Sequence, residues 1–108
     1  MSVMRNYYVY IFANKNNNVF YTGVTGRLIR RVYEHKNGLI EGFSRRYRVK
    51  KLLYYETYTD VRDALEREKK LKKWRHDWKA RLIRNFNPSW RDLSEELGVD
   101  MSGAFAPY

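Results

Sequence analysis

The sequence predicts an α/β fold: a small β-β-α-β-α-α domain whose three-stranded, mostly antiparallel sheet is flanked by helices. Three observations lead there. Runs of β-branched and aromatic residues stand at 7–13, 19–24 and 49–58. Between and after them the apolar residues switch to helical spacing. At 108 residues, the chain suits one compact domain rather than two.

Each element follows in order. Along 7–13, Tyr8, Tyr10 and Phe12 fall on one strand face and Tyr7, Val9 and Ile11 on the other. The Asn-rich stretch at 14–18 tolerates turn conformations, and strand composition resumes at 19–24, so the pair reads as an antiparallel hairpin. After Gly26 the period changes. Leu28, Ile29, Val32 and Tyr33 predict a helix over 27–36, stopped by Asn37 and Gly38. Residues 39–48 read as a basic loop and 49–58 as the third strand. Asp60 is placed to cap a helix over 61–75. Trp78, Leu82 and Ile83 predict another over 77–85, and Asn87-Pro88 breaks it. Residues 90–97 suit one more short helix, and 101–108 a loose tail. Trp74, Trp78 and Trp90 read as core or helix-packing residues.

The bulk properties bound the function. No apolar run approaches the roughly 18–20 residues that cross a bilayer, and the first residues lack the apolar core of a signal peptide. With no cysteine there is no disulfide framework and no thiolate metal site. A soluble cytoplasmic protein, not bound to a membrane, is the expectation. Lysine and arginine give a net charge of +10, a field that draws polyanions, nucleic acid foremost. Basic surfaces also serve acidic membranes or solubility, so charge narrows the partner without naming it.

Several polar residues lie where apolar ones are expected. On the 61–75 helix, Val61, Ala64, Leu65, Leu71 and the stem of Lys72 form one stripe, with Glu68 near its middle and Glu66 pointing away. A carboxylate there needs a cationic partner, and a structural ion pair is the plainer reading of it. On the 27–36 helix, Arg31 and His35 share a side with Leu28 and Val32, whereas Arg30 points to solvent. His35 alone would read as a structural histidine. Tyr10, and Tyr21 with Gly23, are placed on strand faces where buried phenols need partners. Tyr10, Tyr21, Arg31, His35 and Glu68 would converge at one edge of the sheet, provided that the two helices do not pack on opposite faces. Arg45, Arg46, Arg48, Lys50 and Lys51 form a basic cluster near the third strand and are candidate phosphate contacts. A second basic run, from Lys69 to Arg84, reads equally as a solvated helix face.

These residues stand in a known pattern. Tyr8-Val9-Tyr10 followed by Tyr21-Thr22-Gly23 resembles the paired tripeptides of the GIY-YIG nucleases, and 24–35 resembles their segment with an arginine and, four residues on, a histidine or tyrosine. Glu68, within Arg67-Glu68-Lys69-Lys70-Leu71-Lys72, resembles the family's metal-binding glutamate. Gly42-Phe43-Ser44-Arg45-Arg46-Tyr47 and Asn87-Pro88-Ser89-Trp90 resemble the small bacterial single-domain members. Two departures stand out: Tyr8 replaces the first glycine and Thr22 the usual isoleucine, and both spare the tyrosines.

The resemblance covers 5–85, leaving 86–108 as an extension packed on the domain or partly flexible. It implies a metal-dependent endonuclease acting on DNA in preference to RNA. Glu68 would hold a single Mg²⁺ or Mn²⁺, Arg31 the phosphate, and Tyr21 the attacking water, with Tyr10 and His35 completing the hydrogen-bond network. Asn87, or else Asn85, matches the asparagine that family members carry after the glutamate. No base-reading motif is visible, so binding is expected to be electrostatic and steeply salt-dependent. The second reading is a nucleic-acid-binding module that keeps the fold and cuts weakly or not at all.

Overall fold

The structure is a computed structural model that describes residues 5–40 and 42–97. Strands β1 (Tyr7–Ala13), β2 (Phe20–Thr25) and β3 (Lys51–Tyr58) form one sheet in the order β2-β1-β3, antiparallel throughout. The β1–β2 turn explains its asparagines. Asn14 Oδ1 accepts from the backbone N–H of Asn18 and Val19 at 3.0 and 3.1 Å, and Asn17 takes a positive φ of 58°.

Central strand β1 is covered on both sides, so residues 9–13 are all buried. Tyr10 and Phe12 pack with Leu28 and Val32 of α1 (Leu28–Lys36) and with Leu93 of a terminal 3-10 turn (Leu93–Leu97). Val9 packs with Ala64 and Leu71 of α3 (Val61–Lys73), and Ile11 with Ile83 of α4 (His76–Phe86). A bulge opposite Ile11 and Phe12 lets consecutive Leu53 and Tyr54 join that second side. Asp60 caps α3 through the Arg62 N–H at 2.8 Å.

Three differences from the sequence expectation stand out. Residues 43–47 are not loop but a short helix, α2 (Phe43–Tyr47), entered at Gly42 with φ 83° and closed at Arg48 with φ 54°. Its only buried residue is Ser44, so no apolar period announces it. On α3 the buried seam is narrower than expected: Ala64 and Leu71 are fully buried, but Val61 and Leu65 are 40% and 42% exposed. Arg67 and Glu68 straddle that seam at about 100° per residue, so Glu68 stands at its margin and not in its middle. Trp78, although exposed on one side, packs edge-on against half-buried Trp74 with centroids 6.0 Å apart, the helix packing expected of it, and the two line a cavity of about 290 Å³ at the α3–α4 corner.

Residues beyond 85 join the same core. Asp92 accepts from the Leu52 N–H at 3.2 Å and pairs with Lys36 of α1 at 2.5 Å, which fastens the 3-10 turn to β3 and α1. The tail expected at 101–108 lies outside the described residues.

Candidate active site

The site is organised by one register pair. Tyr10 of β1 faces Gly23 of edge strand β2, and Phe12 faces Tyr21. The Tyr10 ring lies flat over Gly23; a Cβ at residue 23 would stand 2.3 Å from its hydroxyl and 2.5 Å from Cζ. Only glycine leaves room for the phenol to lie over β2. The helices carrying Arg31 and Glu68 do pack on opposite faces, the arrangement that the convergence was conditional on avoiding. Even so, the charges that act on the Tyr10 phenol include Arg31, Tyr21, Glu68 and Glu34. Groups carried on both faces of the sheet therefore bear on this one phenol.

Four rings pack together here. His35 stacks on Phe12 with centroids 3.8 Å apart and lies 5.9 Å from Tyr10 and 5.6 Å from Tyr21; the two tyrosine rings are 6.4 Å apart. His35 Nδ1 donates to the Val49 carbonyl at 3.0 Å, which leaves Nε2 as the bare acceptor. Burial pushes the His35 pKa down to about 4, against the raising effect of the Val49 bond and with help from Arg31. The ring is therefore neutral at physiological pH. Burial likewise raises the Tyr10 phenol above its ordinary value, with Arg31 opposing, so Tyr10 stays protonated and acts as a hydrogen-bonding group.

Arg31 supplies the cation. Its Nη1 is 3.6 Å from Glu34 Oε1, while its Nε is buried with no hydrogen-bond partner among the described residues. His35 Nε2 is orphaned in the same way. An orphaned guanidinium N–H and an orphaned imidazole nitrogen, one helical turn apart on α1, each cost free energy that an oxyanion or a water could restore. Glu68 has a side chain 16% exposed, and its Oε2 is 3.3 Å from Lys72 Nζ. A carboxylate is a hard-cation ligand. Among the described residues no three Asp, Glu, His or Cys side chains come together as a metal-binding group. Glu68 by itself could hold one such ion only if water and substrate oxygens supplied the rest of its shell.

The remaining candidates divide. Arg45 and Arg46 are exposed on α2, and Arg48, Lys50 and Lys51 line a basic pocket of about 440 Å³. Asn87 does not reach the tyrosines. It is buried at the end of α4, where Nδ2 donates to the Leu53 and Arg91 carbonyls at 3.2 and 2.8 Å, a structural tie between α4, β3 and the following segment. Asn85 is exposed beside the Trp74–Trp78 cavity. Sequence reasoning missed Glu34, which pairs with both Arg30 and Arg31, although its three-residue offset from Arg31 was visible.

A three-stranded antiparallel sheet held between helices, with a tyrosine from each hairpin strand and an arginine and histidine one helical turn apart, is shared with a known class. The GIY-YIG catalytic domain matches residues 6–81, and the chain belongs to that nuclease family. It is similar to a UPF0213 protein of Clostridium perfringens, 32% identical over 92 residues that cover 85% of this chain and 98% of that one. A UPF0213 protein of Staphylococcus epidermidis is 34% identical over 80 residues, covering 74% and 96%. In fold the chain resembles the solution structure of a UPF0213 protein from Bacillus halodurans, with a TM-score of 0.53, 23% identity and coverage of 83% and 95%.

Proposed function

We propose that this protein is an endonuclease that hydrolyses phosphodiester bonds of nucleic acid, DNA in preference to RNA, with one Mg²⁺ or Mn²⁺. The observation that carries this reading is the buried Nε of Arg31, without a hydrogen-bond partner among the described residues and one helical turn before His35, whose ring packs with those of Tyr10 and Tyr21. Nη1 of Arg31 is paired with Glu34, and its Nε is a cationic donor left unused among the described residues. Arg31 would hold the non-bridging oxygens of the scissile phosphate, where its planar fork suits the charge that grows in the transition state. Half-buried Tyr21 would orient the attacking water, with Tyr10 donating a hydrogen bond and His35 Nε2 accepting one. Water attack on phosphorus breaks the bond to the 3′ oxygen. Glu68 would hold the metal, whose contribution when bound is to stabilise the negative charge on that leaving oxygen. One carboxylate predicts weak metal affinity until substrate adds its oxygens. The implied compartment is the reducing cytoplasm.

A binding module that cuts weakly or not at all is favoured by the same single-carboxylate site. Incubation of purified protein with single-stranded, duplex and branched DNA, and with RNA, in Mg²⁺ or Mn²⁺ separates the two. Cleavage should fall by about 10²-fold or more in Arg31→Ala and in Glu68→Ala, with thermal unfolding little changed. Cutting that survives both substitutions would refute the site. Binding without cutting on every substrate would favour the module.

A further inference from the structure

Helix α2 places two large aromatic rings where the fold has no use for them. Phe43 is 48% and Tyr47 43% exposed, and α2 buries only Ser44. The rings touch, with centroids 4.7 Å apart, and Phe43 in turn stacks at 27° against Tyr21, 6.2 Å away. A strip of three aromatic faces thus runs outward from a site tyrosine. Arg46 lies 5.7 Å over the Tyr47 ring, and Tyr47 also lines the pocket shared with Lys15, Arg48, Lys50 and Lys51, where the one carboxylate, Asp92, is paired with Lys36.

We propose that α2 is a stacking platform for an unpaired strand: bases next to the cut site stack on Phe43 and Tyr47, and the backbone phosphates enter the pocket formed by Lys15, Arg48, Lys50 and Lys51. The chemistry is specific to unpaired nucleotides. In a duplex the base faces are stacked on one another, so exposed rings gain nothing from them, whereas an unpaired base offers its whole π-face. Cations beside the rings follow the backbone, and a base between an aromatic ring and a guanidinium gains from both. A protein partner of this patch would need acidic groups to meet the pocket and would not distinguish paired from unpaired nucleic acid. The placement of the bases rests on the nuclease reading above, because it takes Tyr21 as the neighbour of the cut bond.

Binding without cutting tests it. The anisotropy of a labelled oligothymidylate and of a blunt duplex of equal length is titrated with the full chain in EDTA. The parent should bind the single strand more tightly than the duplex. Phe43→Ala with Tyr47→Ala should weaken single-strand binding roughly tenfold or more and alter duplex binding less than about threefold, with an unchanged circular dichroism spectrum. Should the double variant lose its fold, each single alanine variant is held to the same comparison, and Phe43→Trp should restore binding. Equal affinity for duplex, an equal loss on both substrates, or no loss on either would overturn the proposal. Preferential single-strand binding in a protein that cuts nothing would sink the nuclease reading and leave the platform. Cleavage of duplex with no single-strand preference would do the reverse.

Discussion

The chemistry of the site depends on one missing methyl group. Tyr10 lies over the edge strand only because residue 23 has no Cβ, and both its hydroxyl and Cζ would clash with one. Gly23→Ala should therefore cost about 1–3 kcal/mol in urea unfolding, as overpacking does in tight cores. The displaced phenol should lower cleavage by about 10²-fold, the scale of a 1 Å misplacement near the reacting atoms. A Gly23→Ala protein as stable and as active as the parent would contradict this packing. Thr22 shows why its departure from the family pattern is tolerated. It is buried on the sheet face away from Tyr10, paired with Ile11, and its hydroxyl has no partner among the described residues. A β-branched residue fits the strand there, and the hydroxyl contributes nothing to the site.

At the level of elements, α3 is held by residues that flank its seam. Arg67 forks onto Glu56 of β3 with bonds of 2.9 to 3.2 Å, and the Tyr54 and Tyr58 hydroxyls donate to the same carboxylate. This tie sits one residue before Glu68 and fixes the roll of the helix that presents it. A double-mutant cycle of Glu56→Gln and Arg67→Met should give a coupling of about 1–3 kcal/mol, above an exposed pair because both partners are largely buried and the contact is bidentate. Coupling under about 0.5 kcal/mol would show that α3 is held by its apolar seam alone. The strands, α1, α3 and α4 were legible because each carries a period of two or near 3.6 in its apolar residues. Helix α2 was not, since two positive-φ residues define its ends and one buried serine its inner face.

Over the whole molecule, buried titratable groups predict how the fold fails in acid. The native state keeps His35 neutral down to about pH 4, whereas the unfolded chain takes up that proton near 6.5. Its contribution is complete above about 6.5 and drains away as pH falls toward 4, reaching about 3 kcal/mol. Glu56 and Asp92 add a second, lower window. Burial raises both, but the bonds from Arg67 and the tyrosines to Glu56, and from Lys36 and Ser94 to Asp92, leave both below their ordinary values of 4.5 and 3.8. Their stabilisation is present above those values and is lost as pH falls through them. Urea midpoints followed from pH 7 to 3 should decline in both windows for the parent, and only in the lower one for His35→Phe. Equal slopes between pH 6.5 and 4.5 would remove His35 from the account.

By itself the sequence determined the sheet, the principal helices, the basic charge and the two tyrosines, Arg31, His35 and Glu68 as residues of interest. Each of these follows from periodicity, composition or a family motif, which are local along the chain. Tertiary structure alone decided how the site is assembled. The helices bearing Arg31 and Glu68 cover opposite faces, yet the charges of both bear on the Tyr10 phenol, which lies over Gly23 of the edge strand. It also separated Asn87, whose amide is spent on backbone carbonyls, from the cluster, and set Phe43 and Tyr47 beside Tyr21. Those outcomes depend on which side chains reach across a packed interface, and no local pattern in the chain encodes that.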